Sequence, residues 1–349
     1  MSPAHPPVAP VPCRPAARRL AARGLIATVA VALLAPALVA AGASSARALD
    51  LPPMPISLWH DLASITPTAQ VKVLAPDAAG AVWYFNSDGK DFVRIDAASH
   101  SQTVYPFSGI TWAIAMVVAP DGIIWFSNPL NTSLGALDPR TGTITYHRLT
   151  GVLEAPTSLA VGADGSIWFG DAATEQLGRL DTTGALTLLA EPTSNDVNGV
   201  ASTADGRIWY SRGGTDGVGV YDPATGSFSD AGLTAGTGSE ITVSKTGDVW
   251  AASYDAASAV STFSRITPTG AVTSFPVAAP GTAAVLPADI SAGENSDIVF
   301  LDPNYGFGTV DASGAVSFSR LDGTRTSIVL DPQGHLWVND RFSDNLLWS

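Results

Sequence analysis

Three aspartates in this chain of 349 residues, Asp289, Asp302 and Asp340, stand at the ends of short apolar runs in neighbouring stretches of sequence. Carboxylates gathered at one opening repel one another. They are expected either to recruit a hard cation, Mg or Ca, with Asp302 and Asp340 as the metal ligands, or to pair with Arg325 and Lys72. The residues that precede or follow the apolar runs make up an expected ligand-binding set: Lys72, Asn86, Trp112, Asn128, Asp171, Asn198, Arg212, Glu240, Asp289 and Arg325. Tyr254, Tyr305, Phe307 and Phe342 lie in adjoining loops, where they are expected to stack on a ring or cover an apolar ligand. Other chemistry is not indicated. There is no H-E-x-x-H and no phosphate-cradling glycine loop before a helix, and His60, His100, His147 and His335 fall on outer strands or in turns, so no catalytic residue is assigned.

Distant residues meet only if the chain repeats, and it does. An apolar run, a glycine turn and an apolar-Trp-aromatic run recur as LAPDAAGAVWYFN (74–86), MVVAPDGIIWFSN (116–128), LAVGADGSIWFGD (159–171) and VASTADGRIWYSR (200–212). The series continues as ITVSKTGDVWAAS (241–253), ISAGENSDIVFLD (290–302) and IVLDPQGHLWVND (328–340). Its anchors are Trp83, Trp125, Trp168, Trp209, Trp250, Val299 and Trp337. Each unit adds a second hairpin, such as QLGRLD followed by a glycine turn and an outer strand. Asp-Gly at 121, 164 and 205 suits the positive backbone angles of tight hairpins.

Four short antiparallel strands at a period near ~43 residues describe a propeller blade and leave no room for long helices. The expected fold is all-β, a seven-bladed β-propeller of four-stranded antiparallel blades. Its blades fall at about 70–107, 112–149, 155–192, 197–233, 238–277, 287–321 and 324–349. The last unit lacks an outer strand, and ISLWHDL (56–62) is expected to supply it and close the ring. The repeated Trp residues are expected to fill the space between sheets, since large aromatics supply most core burial. Strand direction places the start of each innermost strand and the end of each second strand at one mouth.

Composition sets the remaining bounds. With 46% hydrophobic residues, 9 Trp, 12 Phe and 7 Tyr, the chain is not disordered. Residues 1–48 hold five Arg and no acid, then an apolar run from Gly24 to Ala41 and the exit Ala46-Arg47-Ala48, the pattern of a secretory signal peptide. A membrane anchor is the alternative, disfavoured by Pro36 within a run barely long enough to span. The mature domain, 49–349, keeps 13 basic and 31 acidic residues, a net charge of −18. Such a surface repels phosphate backbones and anionic lipid, so neither nucleic acid nor a membrane is an expected partner. Cys13 leaves with the signal, so no disulfide or thiolate site remains.

The units APTSLAVGADGSIWFGDAATEQLGRLDTTGALT (155–187) and PDGIIWFSNPLNTSLGALDPRTGTITYHRL (120–149) resemble the blades of the virginiamycin B lyase family, and the likeness extends over all seven units. The resemblance implies a metal-assisted elimination that opens the ester of a cyclic depsipeptide. In the family a histidine on the last blade acts as base, a histidine on the preceding blade contacts substrate, and acidic residues hold Mg. Those two histidine positions fall on Thr326 and Ala288 here, and the acids on Thr324 and near Asp340. A weaker resemblance is to the six-bladed gluconolactonase and regucalcin-like propellers, whose Glu, Asn and Asp metal site would match Glu240, Asn198 and Asp289.

The function expected is that of a secreted, extracellular, monomeric propeller binding a small-molecule or peptide ligand in its funnel. Carbon–oxygen lyase activity, a non-catalytic binding module and a gluconolactonase-like hydrolase remain alternatives.

Overall fold

The computed structural model describes residues 60–61, 71–86, 90–96, 98–107, 113–128, 131–193, 195–213, 217–233, 237–277, 281, 283–293, 297–319, 327–339 and 346–348. They belong to a unit spanning Leu49–Ser349; Met1–Ala48, the expected signal, lies outside the described residues. No described helix is long and apolar enough to cross a membrane.

The fold is an all-β propeller of four-stranded antiparallel blades. Each of six sheets takes four consecutive strands. Blade one is Val71–Pro76, Val82–Asn86, Asp91–Ile95 and Gln102–Pro106. Blade two starts at Met116–Val118, blade three at Leu159–Val161, blade four at Val197–Ser202, blade five at Thr237–Val243 and blade six at Asp289–Ala292. A further sheet is composite. Ile328–Leu330, Leu336–Asn339 and Leu346–Trp348 are completed by His60–Asp61, with His60 opposite Trp348 and Asp61 opposite Leu347. We refer to this sheet as blade seven. The innermost strands touch in succession, and that of blade seven touches that of blade one.

Successive side chains of a strand point to opposite faces, and this parity builds the core. On each second strand the anchor residue faces the following blade, and its neighbour faces the preceding one. Trp168 of blade three thus packs with Val197, Val200 and Tyr210 of blade four, and Trp250 of blade five packs with Ile290 and Phe300 of blade six. Trp337 of blade seven packs with Leu74, Val82 and Tyr84 of blade one. The tryptophans therefore fill the spaces between sheets, as their spacing suggests.

The residue after the anchor needs a flat seat. Phe126, Phe169, Tyr210 and Phe300 lie opposite Gly135, Gly178, Gly219 and Gly308 on the third strand of their own sheets. A Cβ at Gly178 would fall 2.2 Å from the Phe169 ring. Turns follow equally local rules. Gly122, Gly165 and Gly206 adopt φ of 84°, 81° and 90°, the left-handed region that other residues enter at a cost. Asp331 shows how a turn is tied down: its carboxylate accepts the backbone N–H of Gln333 and His335 and the indole N–H of Trp337. His335 bonds the same carboxylate at 2.9 Å, so it belongs to the turn.

Substituting Gly178→Ala is expected to destabilise the protein by about 1–3 kcal/mol, the usual cost of overpacking a filled core. Urea denaturation measures it, and Gly142→Ala, whose added methyl meets nothing within 4 Å although its φ is 70°, is expected to cost less.

Candidate functional site

Strand register gives each inner strand a common reference. Leu74, Met116, Leu159, Val200, Ile241, Ile290 and Ile328 pair with the residue after each anchor. The residues just before them, Val73, Ala115, Ser158, Gly199, Glu240, Asp289 and Ser327, therefore form one layer around the channel. Two of them are acidic, and they sit on adjacent inner strands that touch.

In this layer two side chains reach across to the next blade. The Ser158 hydroxyl accepts the N–H of Val200 at 3.0 Å. Asp289 Oδ2 accepts the N–H of Ile328 at 2.8 Å. Two residues further along the strand, the Ser291 hydroxyl accepts the N–H of Leu330. Glu240 stands at the equivalent place and its carboxylate accepts no such bond from blade six. The N–H of Ile290, which it would need, serves the carboxylate of Asp289.

The electrostatic consequence follows. Burial, and secondarily the charge of Asp289, pushes the Glu240 carboxyl well above its ordinary range. Burial also pushes Asp289 up to about 6, against hydrogen bonds from Ile328, Ser327 and Ile290 that favour its charge. Both side chains are deeply set yet keep part of their surface on the channel. Such neighbours titrate as a pair, and a proton stays with them to higher pH than either carboxylate would hold it alone.

The strand ends expected to line the mouth are mostly buried instead. Asn86, Asn128, Asp171, Arg212 and Asp302 are all covered. Asp171 accepts the N–H of Ala173 and the hydroxyl of Thr174, folding its own turn. Arg212, expected to bind ligand, donates its Nε–H to Glu191 at 3.0 Å and an Nη1–H to Asp230 at 2.7 Å. Glu191 also accepts the Tyr210 hydroxyl and two bonds from Thr193; burial works to raise its carboxyl, but these partners hold it below its ordinary value overall. The sequence reading missed Glu191. Its signal was the joint replacement, in one unit, of the usual Phe by Tyr210 and of Asn or Asp by Arg212.

Asp302, expected as a metal ligand, has its carboxylate engaged by its own loop. Its Oδ1 accepts the N–H of Asn304 at 2.7 Å and of Tyr305 at 2.8 Å, and its Oδ2 accepts that of Leu286, so both oxygens are engaged in the loop. Tyr305 and Phe307, expected to face ligand, are core residues: Tyr305 packs with Phe300 and Phe318, and Phe307 with Ile328 and Val338. Asp340, Trp112, Arg325 and Phe342 lie outside the described residues, as does the side chain of Lys72. Among the described residues there is no group of three or more His, Cys, Asp or Glu that could hold a metal ion.

Asn198 and Ala288 remain at the mouth, one residue before the acidic layer, with Asn198 half-buried and Ala288 exposed. Large apolar side chains are exposed on three segments leading into inner strands: Ile114, Leu153 and Leu286 are 36%, 70% and 38% exposed. Three further residues, Ser127, Ser211 and Asn339, fix the backbone of this layer by accepting the N–H groups of Ala115, Gly199 and Ser327.

Comparison with known proteins adds the following. The model of the virginiamycin B lyase family matches residues 61–258. A streptogramin B lyase structure superposes with a TM-score of 0.71 at 19% identity, covering 83% of this chain and 96% of that one. Virginiamycin B lyase from Staphylococcus aureus superposes at 0.70 with 18% identity, covering 83% and 98%. Its catalytically inactive histidine-to-alanine variant with quinupristin gives 0.70 at 17% identity over the same shares. At these identities the superpositions speak to the fold. No curated protein matches the chain by sequence.

Because the Glu240 and Asp289 carboxyls are raised, the folded state holds their protons more tightly than the unfolded chain. Their contribution to stability is present at pH 4 and is lost as pH rises toward the folded values. Glu240→Gln is therefore expected to melt about 2–4 °C higher than wild type at pH 8, the shift that roughly 1 kcal/mol gives in a domain this large, and at the same temperature near pH 4. Thermal melts at both pH values measure it.

Proposed function

The chain belongs to the virginiamycin B lyase family, and we propose that it is an exported member that binds a small polar or peptidic ligand at the mouth of its ring without the family's histidine-based elimination. The observation that carries this reading is one juxtaposition. A pair of carboxyls without a described cationic partner opens on a mouth whose entering segments expose Ile114, Leu153 and Leu286. That combination suits an amphipathic ligand, with hydrocarbon against the rim and polar groups toward the acids.

The elimination that the family resemblance implies needs an imidazole to remove a proton beside the ester. Ala288 stands at one of the implied histidine positions and supplies no base; Thr326, at the other, supplies none by its chemistry. Mg chemistry has no support among the described residues, since Asp302 is engaged by backbone donors. The gluconolactonase-like alternative is weaker still. Asn198 falls one residue out of the layer that holds Glu240 and Asp289, and the composite blade supports a closed ring of seven rather than six.

Export rests on the arginine-rich, acid-free stretch and apolar run of residues 1–48. In this reading the mature protein acts outside the cell as a monomer.

Quinupristin provides the test. Incubated with purified protein, with and without Mg, it is expected to bind by calorimetry but to give no linear product above the buffer rate. Elimination leaves the mass unchanged, so the product is sought by chromatography with tandem mass spectrometry. Turnover of the ring would overturn the non-catalytic reading.

A further inference from the structure

The carboxyl layer holds one group whose position is unexplained by the fold. Ser158 and Asp289 each use the equivalent place to fasten their own blade to the next one. Glu240 fastens nothing. Among the described residues its carboxylate has no hydrogen-bond partner; it is set into the inner layer with part of its surface open, and the like charge of Asp289 acts on it. A glutamate kept unbonded beside an aspartate destabilises the empty ring, because buried carboxylates need a proton or a cation. Neither side chain has a described Lys or Arg as its counter-ion.

We propose that Glu240 and Asp289 together recognise a protonated amino group of the ligand, holding one alkylammonium between blades five and six. This rests on the reading of the mouth as a ligand site and names the chemistry of its polar end. An ammonium offers three N–H donors in a compact charge, and charge-assisted bonds to carboxylates are the strong ones. A hard cation is less well served. Ca takes six to eight oxygens, whereas no third acid or histidine joins the two among the described residues. The excess of 31 acidic over 13 basic residues in 49–349 favours the approach of a cation from solution. Leu286, three residues before Asp289 and 38% exposed, offers apolar surface for the carbon skeleton of the amine.

Isothermal titration of the purified protein at pH 8 tests this with benzylammonium chloride, the neutral benzyl alcohol, MgCl2 and CaCl2. Benzylammonium is expected to bind and benzyl alcohol not to. Glu240→Gln is expected to weaken benzylammonium by about tenfold or more, the effect of removing a charged hydrogen-bond partner. Asp289→Asn is expected to act in the same direction. Melting curves identify any variant that fails to fold, and Glu240→Gln, which removes a buried charge at constant shape, is the variant that decides. Unchanged benzylammonium affinity in a folded Glu240→Gln protein would overturn the proposal. So would binding of Mg or Ca with no binding of the amine. If quinupristin binds while benzylammonium does not, the ammonium inference fails and the mouth remains a ligand site. If neither binds, both readings fail.

Discussion

Everything in this ring depends on how the second strand of each blade uses its two faces. The anchor residue turns forward into the next sheet, and in four blades the following aromatic turns back and lies over a glycine of its own third strand. Gly135, Gly178, Gly219 and Gly308 are thus a steric requirement, because a methyl group there would enter the ring of Phe126, Phe169, Tyr210 or Phe300. Neighbouring sheets are held in a fixed relation by these contacts. The inner strands consequently come into a common register, and only that register brings Glu240 level with Asp289.

The layer so formed is unevenly equipped. On one side it holds Val73, Ala115, Ser158 and Gly199, small or apolar groups that ask for no charge compensation. On the other it holds the two acids and Ser327. Backbone bonds from Ser127, Ser211 and Asn339 stiffen the strands beneath without touching the acids. Around the pair no described Lys or Arg supplies a counter-charge. Arg212 makes the contrast plain. It is more fully covered, and Glu191 and Asp230 neutralise it within the protein.

The architecture was readable because it rests on local and periodic causes. Trp spacing, Asp-Gly turns and alternating strands each state their own geometry, and the closing strand was implied by a last unit one strand short. The site was only partly readable. Glu240 and Asp289 stood among ten candidates, and nothing in the linear order placed them at one height. The gap of 49 residues between Trp250 and Val299 and the bulge between Gly238 and Glu240 obscured their equivalence. Asp302 misled for a different reason. A carboxylate at a strand end is as well suited to capture the N–H groups two and three residues on as to face a channel, and here it does the former. The tie between Arg212 and Glu191 spans two blades and leaves no periodic trace.

The composite sheet joins His60–Asp61 to Leu346–Trp348, from opposite ends of the described chain. Six sheets can assemble from neighbouring hairpins, whereas this one must gather partners across nearly the whole polypeptide, a contact with a high loop-closure cost and a slow approach to formation. Among the described residues the clasp is two residue pairs, so the circle is fastened at its entropically weakest joint. Mechanical or thermal opening would begin there, with His60–Asp61 parting from Leu346–Trp348 inside blade seven, and would leave the arc farthest from it, blades three and four, intact the longest.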